Sequence, residues 1–122
     1  MNVPVHFELA VADPHRALSF YECVFGWKTR ASDGPQEYWL LLSGSEPDPG
    51  VIGGLMVRSE KTPRVVNTIR VDSVDETCRK IMSCGGTVMM PKSAIPGVGW
   101  QAYCVDTEGI VFGVHQRDPL AK

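Results

Sequence analysis

Two side chains that can exchange protons stand close together near the start of the chain. His6 and Glu8 are two residues apart in the segment Val5-His6-Phe7-Glu8-Leu9-Ala10-Val11, where apolar and polar residues alternate. In a strand such neighbours point to the same face, so the imidazole and the carboxylate would lie side by side. Two titratable groups held together have their pKa values pushed apart, which suits them to act as acid and base. The alternative for His6 is a hydrogen-bonded histidine without a catalytic role.

A positive charge is predicted on the corresponding strand of the second half of the chain. Arg70 shares one face of strand 65–71 with Val66 and Thr68, because these residues are spaced by two. A guanidinium in this place could hold a carboxylate or a phosphate of a bound molecule. The alternative is a structural ion pair between Arg70 and Glu8.

Other side chains could form the wall of a small-molecule pocket. Met56, Trp100 and Tyr103 offer apolar and aromatic surface, and His115 on the last predicted strand offers a polar edge. Residues of these types also fill protein cores, which is the alternative for each of the apolar ones. The alternation does not settle which face of strand 100–105 would meet a pocket.

The first half of the chain predicts the elements that must position the first of these groups. Asp13 before Pro14 is a favourable helix start, and Gly26 is a favourable helix end. The apolar stripe predicted to face the sheet consists of Ala17, Phe20, Tyr21 and Val24. Strands are predicted at 5–11, 27–30, 38–42 and 51–57, with turns at 32–35 and 43–50. The order of elements is therefore βαβββ.

The second half repeats this order after a polar segment at 59–64, which we interpret as the inter-module linker. Ser73 and Glu76 form a capping box at the start of a helix that ends at Gly85 and Gly86. The predicted apolar stripe of this helix consists of Val74, Cys78, Ile81 and Met82. Strands are predicted at 65–71, 87–90, 100–105 and 110–116. The segment 91–99 is the longest predicted loop, either a lid or a static connector.

The two halves can be superposed along the sequence. A shift of 60 residues places the predicted helix cap Asp13 on Ser73, and a shift of 59 places Gly54 on Gly113. Self-similarity of this kind indicates a duplicated unit. We therefore expect one domain over residues 1–122 with two modules, at about 4–58 and 65–116.

Composition narrows the class of protein. A chain of 122 residues with 43% hydrophobic and 21% charged residues is typical of one globular domain. A net charge of -2 without a basic stripe argues against nucleic-acid binding, and no apolar run approaches the roughly 20 residues of a membrane span. The N-terminus has no signal-peptide pattern, so we expect a cytoplasmic protein whose four cysteines are reduced and mostly buried.

At this point the sequence resembles the vicinal oxygen chelate superfamily of glyoxalases, bleomycin-resistance proteins and dioxygenases. The resemblance covers nearly the whole chain and is carried by Phe7 to Tyr21 with Phe25-Gly26-Trp27, by Gly85-Gly86-Thr87-Val88 followed by Pro91 to Trp100, and by Asp106-Thr107-Glu108-Gly109. It is closest to the short, glyoxalase-related proteins of the superfamily. It implies an α+β fold in which two βαβββ modules form a curved mixed sheet around a cleft, with the helices on the outer face. It also implies a cleft that closes either within one chain or across a homodimer, and a homodimer is expected.

The resemblance also implies where a metal would be held in metal-dependent members. Those proteins use side chains from the first and last strand of each module, and the matching positions here are His6, Gly54, Val66 and Gly113. Only His6 can bind a metal, which speaks against glyoxalase I or extradiol dioxygenase activity. A displaced set of His6, Glu8 and His115 is the remaining possibility for a metal site. We predict no metal and no other cofactor.

Two functions follow from these expectations. The first is an enzyme, lyase-like or isomerase-like, that acts on a small oxygenated or aromatic metabolite with Glu8 or His6. The second is a non-catalytic protein that sequesters a small molecule, as resistance proteins of this superfamily do. Fold resemblance alone does not decide between them.

Overall fold

The computed structural model of the chain describes residues 2–32, 37–44 and 51–122. Its elements are β1 (Val3–Val11), α1 (Pro14–Phe25), β2 (Lys28–Ala31), β3 (Tyr38–Leu42), β4 (Ile52–Val57), β5 (Val65–Arg70), α2 (Val74–Ser83), β6 (Thr87–Ile95), β7 (Gly99–Val105) and β8 (Val111–Arg117). The predicted order βαβββ, twice over, is confirmed. Most of the predicted turns at 32–35 and 43–50 lie outside the described residues.

The two modules have the same strand order and the same mixture of pairings. In the first, the order is β2-β3-β4-β1, with β1 parallel to β4 and the other pairs antiparallel. In the second, the order is β6-β7-β8-β5, with β5 parallel to β8. Glu8 lies opposite Gly54 in the first module, and Thr68 lies opposite Gly113 in the second. The α+β class and the repeat, including its shifts of 60 and 59 residues, are therefore confirmed.

The chain divides into two compact units. The first unit is His6–Val66, and the second combines Asn67–Lys122 with the first residues of the chain, Met1–Val5. Asn2 joins the second unit by donating its backbone N–H to the carbonyl of Arg70 at 2.8 Å.

Helix α1 begins and ends where its caps predict. The Asp13 carboxylate accepts a hydrogen bond from the backbone N–H of Arg16, and Gly26 ends the helix in the left-handed conformation with φ of 70°. Leu18 packs with Leu41 and Leu55 in the core of this unit.

The predicted stripe of α1 is wrong at two positions. Phe20 and Val24 are 56% and 53% exposed, whereas Leu18 is buried. Phe20 comes two residues after Leu18, which places it roughly 160° around the helix from the buried side at 3.6 residues per turn. The sequence contains more apolar residues on this helix than its buried face can take.

Helix α2 packs on the second core through Val74, which is fully buried. The Ser73 hydroxyl accepts from the backbone N–H of Glu76, as the predicted cap requires. Cys78 and Ile81 contact the core, but Met82 is 56% exposed, so its place in the stripe was wrong. The core residues of this unit are Val71, Val74, Ala102, Cys104 and Val114.

The segment predicted as a long loop is largely a strand. Strand β6 runs to Ile95, so only residues 96–98 connect it to β7, and the lid hypothesis is wrong. The pairing with β7 shifts between Val88 and Met90 and again before Ser93. Proline is tolerated there because β6 is the outermost strand of its unit, and irregular pairing is common on such strands.

All four cysteines are free thiols, but they are not mostly buried. Cys104 is buried and Cys78 half-buried, whereas Cys23 and Cys84 are exposed. Burial, together with the neighbouring Cys78 thiol, raises the pKa of Cys104 to about 11. The buried thiol therefore stays protonated and behaves as a small apolar group.

Within the described part of the chain, no helix has the length and apolar character that crossing a membrane would need.

Candidate functional site

The first unit gathers its polar side chains on the face of the sheet that α1 does not cover. Phe7, Leu9 and Val11 pack against the Leu18 core, so the residues between them on β1 point the other way. His6 and Glu8 therefore share a face, as the alternation predicted.

Tyr38 joins these two residues into one hydrogen-bonded chain. Its hydroxyl donates to Glu8 Oε2 at 3.0 Å, and His6 Nε2 lies 3.0 Å from the same oxygen. The hydroxyl has one proton, so when it is donated to Glu8 the oxygen is free to accept from His6. The three groups can pass a proton between them without any rearrangement of the backbone.

Gly54 makes room for this arrangement. It lies opposite Glu8 on β4, and a methyl group in place of its α-hydrogen would overlap the Tyr38 hydroxyl. Only a glycine at this position leaves room for the Tyr38 side chain to lie across β4.

Burial acts on the histidine of this cluster. It lowers the pKa of His6 below its ordinary value of 6.5, and the nearby Glu8 carboxylate and the carbonyl of Ile52 oppose the shift more weakly. His6 is therefore neutral at pH 7, which leaves one ring nitrogen able to accept a proton and the other able to donate one.

The second unit carries its own polar cluster on the face that α2 does not cover. Thr68 and Arg70 alternate with core-facing Ile69 on β5, and Arg70 lies opposite His115 on β8. Gln101 on β7 lies opposite His115 from the other side, and its Oε1 is 3.0 Å from His115 Nδ1. Since Oε1 can only accept, His115 Nδ1 carries the proton of this bond.

Two polar atoms of this second cluster are buried without a hydrogen-bond partner among the described residues. They are the hydroxyl oxygen of Thr68, whose side chain is 2% exposed, and Nε of Arg70. A Cβ on Gly113 would lie 2.6 Å from Thr68 Oγ1 and 2.7 Å from Gln101 Nε2. The Thr68 hydroxyl and the Gln101 amide therefore meet over a glycine, as Tyr38 lies over Gly54 in the first unit.

The structure places the remaining sequence candidates as follows. Met56 lies opposite Tyr38 on β4, on the side of the first cluster, and Tyr103 lies opposite Gly113 on β7. Trp100 is a correction, because it packs against the α2 core and its indole N–H donates to Asp118 at 3.0 Å. Within the described ranges it lies on the same side of β7 as the core residues Ala102 and Cys104, and we leave it out of the candidate site.

Alternation settles the face of β7: Ala102 and Cys104 are core residues, so Gln101 and Tyr103 point away from α2. Tyr38, Thr68 and Gln101 were not among the site candidates that the sequence offered. Glu8 and Arg70 belong to different compact units, and the ion pair suggested between them stays a prediction.

The donor set does not fit the catalytic metal of metal-dependent relatives. Two of the four matching positions are glycines covered by neighbouring polar side chains, and Val66 has no donor atom. The remaining ligand, His6, is already hydrogen-bonded to Tyr38. In residues 2–32, 37–44 and 51–122, no three His, Cys, Asp or Glu side chains form a group that could hold a metal ion, so the displaced set has no support.

A family model describes most of this chain. The model of the Glyoxalase/Bleomycin resistance protein/Dioxygenase superfamily matches residues 4–114. A curated protein of Mycobacterium tuberculosis, named "Putative glyoxylase CFP32", is 32% identical over 118 residues. That match includes 92% of this chain but 43% of the relative, so the chain spans less than half the length of that protein.

Solved structures share the fold at much lower sequence identity. A methylmalonyl-CoA epimerase from Mycobacterium tuberculosis matches with a TM-score of 0.70 and 18% identity, over 96% of this chain and 89% of that one. A methylmalonyl-CoA epimerase variant from Streptomyces coelicolor, in complex with 2-nitronate-propionyl-CoA, matches with a TM-score of 0.70 and 14% identity, over 96% and 99%. At such identities the likeness concerns the fold.

Proposed function

Because this chain belongs to the Glyoxalase/Bleomycin resistance protein/Dioxygenase superfamily, we propose that it is an isomerase-like or lyase-like enzyme acting on a small oxygenated metabolite. The reaction would start by moving a proton from a carbon beside a carbonyl group. The observation that carries the proposal is the hydrogen-bonded chain His6–Tyr38–Glu8.

Glu8 is the base in this proposal. Its carboxylate takes the proton as the carbon–hydrogen bond breaks, and the electron pair moves to the carbonyl oxygen to give an enolate. A protonated Glu8 no longer needs the Tyr38 proton and can donate to the Tyr38 oxygen instead. The tyrosine proton is then free to turn towards the enolate oxygen, where a donor is needed as charge develops.

His6 holds the other side of the tyrosine. As a neutral imidazole it can donate to the Tyr38 oxygen, or accept from it when the hydroxyl proton turns away from Glu8. It therefore positions Tyr38, while the proton that returns to the carbon comes from Glu8, which took it up in the first step. Met56, opposite Tyr38, offers an apolar wall for the carbon skeleton of the ligand.

The named ligands of the structural neighbours suggest the first compounds to test. These neighbours are named as epimerases of methylmalonyl-CoA, and one was solved with 2-nitronate-propionyl-CoA. Acyl thioesters with an acidic α-hydrogen are therefore the first class, followed by α-hydroxy ketones and α-oxo aldehydes.

A second function, sequestration of a small molecule without reaction, is favoured by a different observation. Binding alone needs pocket walls and hydrogen-bond donors but no metal, and the family's ligand positions are glycine at 54 and 113. Under this function Glu8 would accept a hydrogen bond from the ligand and would not take a proton from it.

The test is deuterium exchange into candidate compounds in D₂O, followed by NMR. We expect the wild-type protein to exchange the α-hydrogen of at least one of these compounds. Glu8→Gln should lower the exchange rate by about 10² to 10⁴, and Tyr38→Phe by about 10². Glu60→Gln removes an exposed carboxylate of the same unit and should leave the rate unchanged.

Sequestration predicts another result in the same assay. A compound that binds tightly but shows no exchange above the buffer rate, in the wild type as in Glu8→Gln, would contradict the proposed enzyme.

Three further expectations belong to this proposal. We propose that the functional form is a homodimer, as the family resemblance implies, and that the protein works in the cytoplasm with a small molecule as its only kind of ligand.

A further inference from the structure

We propose that the second unit contains a binding site for a carboxylate group, formed by the guanidinium of Arg70, the hydroxyl of Thr68 and the side-chain amide of Gln101. The site lies on the face of β5, β8 and β7 that α2 leaves uncovered.

Two polar atoms of this site are buried without a hydrogen-bond partner in the part of the chain that the structure describes. Buried hydroxyl and N–H groups nearly always form hydrogen bonds, because an unsatisfied one carries the full cost of desolvation. Thr68 Oγ1 and Arg70 Nε both lack a partner within the described ranges. Only 2% of the surface of Thr68 is exposed. The two residues are neighbours on one face of one strand, so a single acceptor could satisfy both.

A third hydrogen-bond donor, the side-chain amide of Gln101, points to the same place. Gln101 uses its Oε1 to accept from His115 Nδ1, which fixes which end of the amide faces Gly113. That end is Nε2, and it approaches the position above Gly113 from one side while Thr68 Oγ1 approaches it from the other. An amide N–H₂ group can only donate hydrogen bonds, so the site is rich in hydrogen-bond donors.

The charge of the site also favours an anionic ligand. Arg70 carries a permanent positive charge, and the neighbouring side chains of Thr68, Gln101 and Tyr103 are uncharged types. One positive charge and two neutral donors match a ligand group with one negative charge and two acceptor oxygens. That description fits a carboxylate better than a phosphate dianion, which would need a second cation.

The class of ligand that this site would recognise is a small molecule with a carboxylate group, whether or not the first cluster is catalytic. The binding site itself can be tested without any reaction.

The experiment follows the Arg70 Nε–H signal in ¹H–¹⁵N spectra of the intact protein, assigned by its loss in Arg70→Lys. Sodium propionate is the probe, with sodium phosphate and sodium chloride at equal ionic strength as comparisons. We expect a saturable shift with propionate and none with chloride. Thr68→Val should weaken propionate binding about tenfold or more, because it removes a hydrogen bond to a charged group. The matched control is Thr107→Val, which removes an exposed hydroxyl of the same unit and should bind like the wild type.

A stability readout separates a binding role from a structural one. Thr68→Val keeps the shape of the side chain and removes a buried hydroxyl without a partner, so the ligand-free variant should melt a few degrees higher than the wild type. A structural hydroxyl would instead lower the melting temperature when removed.

Three results would overturn the inference: no saturable shift with propionate, equal propionate affinity in Thr68→Val, or tighter binding of phosphate than of propionate. Propionate binding without α-hydrogen exchange in any compound would support the carboxylate site and contradict the proposed reaction. Exchange without propionate binding would do the reverse.

Discussion

The single proton of Tyr38 links the ionisation of the two groups beside it. A hydroxyl 3.0 Å from both Glu8 Oε2 and His6 Nε2 can donate to only one of them at a time. Protonating Glu8 therefore changes which bond His6 can form, and a charged His6 would need Tyr38 to accept. This coupling is what makes the cluster suitable for proton transfer, beyond the presence of an acid and a base.

The burial of His6 predicts how stability depends on pH. Its pKa is lowered in the folded protein, so the unfolded chain takes up a proton first when the pH falls below 6.5. The free energy of unfolding should therefore be highest above pH 6.5 and should fall as the pH is lowered from 6.5 to the folded-state pKa. Urea unfolding at pH 7.5 and pH 5.5 measures this difference.

The variant His6→Gln should lose this part of the pH dependence, whereas His15→Gln, at an exposed position of α1, should keep it. An equal decline in the wild type and in His6→Gln would show that His6 is not destabilised by its charge, and would contradict a neutral His6 at pH 7.

Sequence could predict some of these residues and not others. The spacing of His6 and Glu8 on one strand is a local signal. Tyr38 is 30 residues from Glu8 in the chain, and only the pairing of β3, β4 and β1 brings them together. For Gln101, the alternation of residues along β7 already showed which residues share a face. Which of the two faces packs on α2 is set by tertiary contacts, so the sequence did not place Gln101 in the site.

At the scale of elements, the last strand of each module has a glycine at the equivalent position, and in each module a polar side chain lies over it. Gly54 is crossed by Tyr38, and Gly113 by Thr68 and Gln101. These are the positions at which metal-dependent relatives would supply a ligand. The two modules therefore share the same strand geometry, while the polar clusters on their strands differ in chemistry.

This arrangement predicts that an alanine substitution at the glycine of one module impairs α-hydrogen exchange or propionate binding and leaves the other property intact. Gly54→Ala should displace the Tyr38 hydroxyl and lower α-hydrogen exchange by about tenfold or more, with propionate binding unchanged. Gly113→Ala should displace Thr68 and Gln101 and weaken propionate binding, with α-hydrogen exchange unchanged. Each substitution should cost about 1–3 kcal/mol of unfolding free energy from overpacking.

Kinetics of exchange and the NMR titration, run on both variants, check this prediction. Equal losses of both properties in both variants would mean that the substitutions act through general damage to the fold.

The elements themselves were predicted best where the signal is local. Asp13, Gly26 and Ser73 form the caps that their residue types favour. The apolar stripes failed at Phe20 and Met82 because burial depends on how much of a helix the sheet covers. Strand β6 was missed beyond residue 90, since proline and glycine there predicted a loop and pairing with β7 outweighed them.

For the molecule as a whole, the repeat in the sequence is the repeat in the structure. Two βαβββ modules with the same strand order account for residues 3–117, and the superfamily model covers nearly the same range. The curated relative in the comparison is more than twice as long as the matched segment. Our expectation that two copies of this chain work together can be tested directly.

Light scattering coupled to size-exclusion chromatography should give a mass of twice the 13.4 kDa of one chain, independent of concentration in the micromolar range. A mass of one chain under the same conditions would contradict the proposed homodimer and would leave the two clusters described here to act within a monomer.

The central claim is that this chain moves a proton with its own side chains, through Glu8 and Tyr38. The most direct measurement is the rate of α-hydrogen exchange in D₂O before and after treatment with a chelator, in the wild type and in Glu8→Gln. We expect the wild-type rate to be the same with and without chelator, and the Glu8→Gln rate to be low in both. A wild-type rate that disappears with chelator and returns with a divalent metal ion would contradict the claim and would place a metal where we infer a hydrogen-bonded tyrosine.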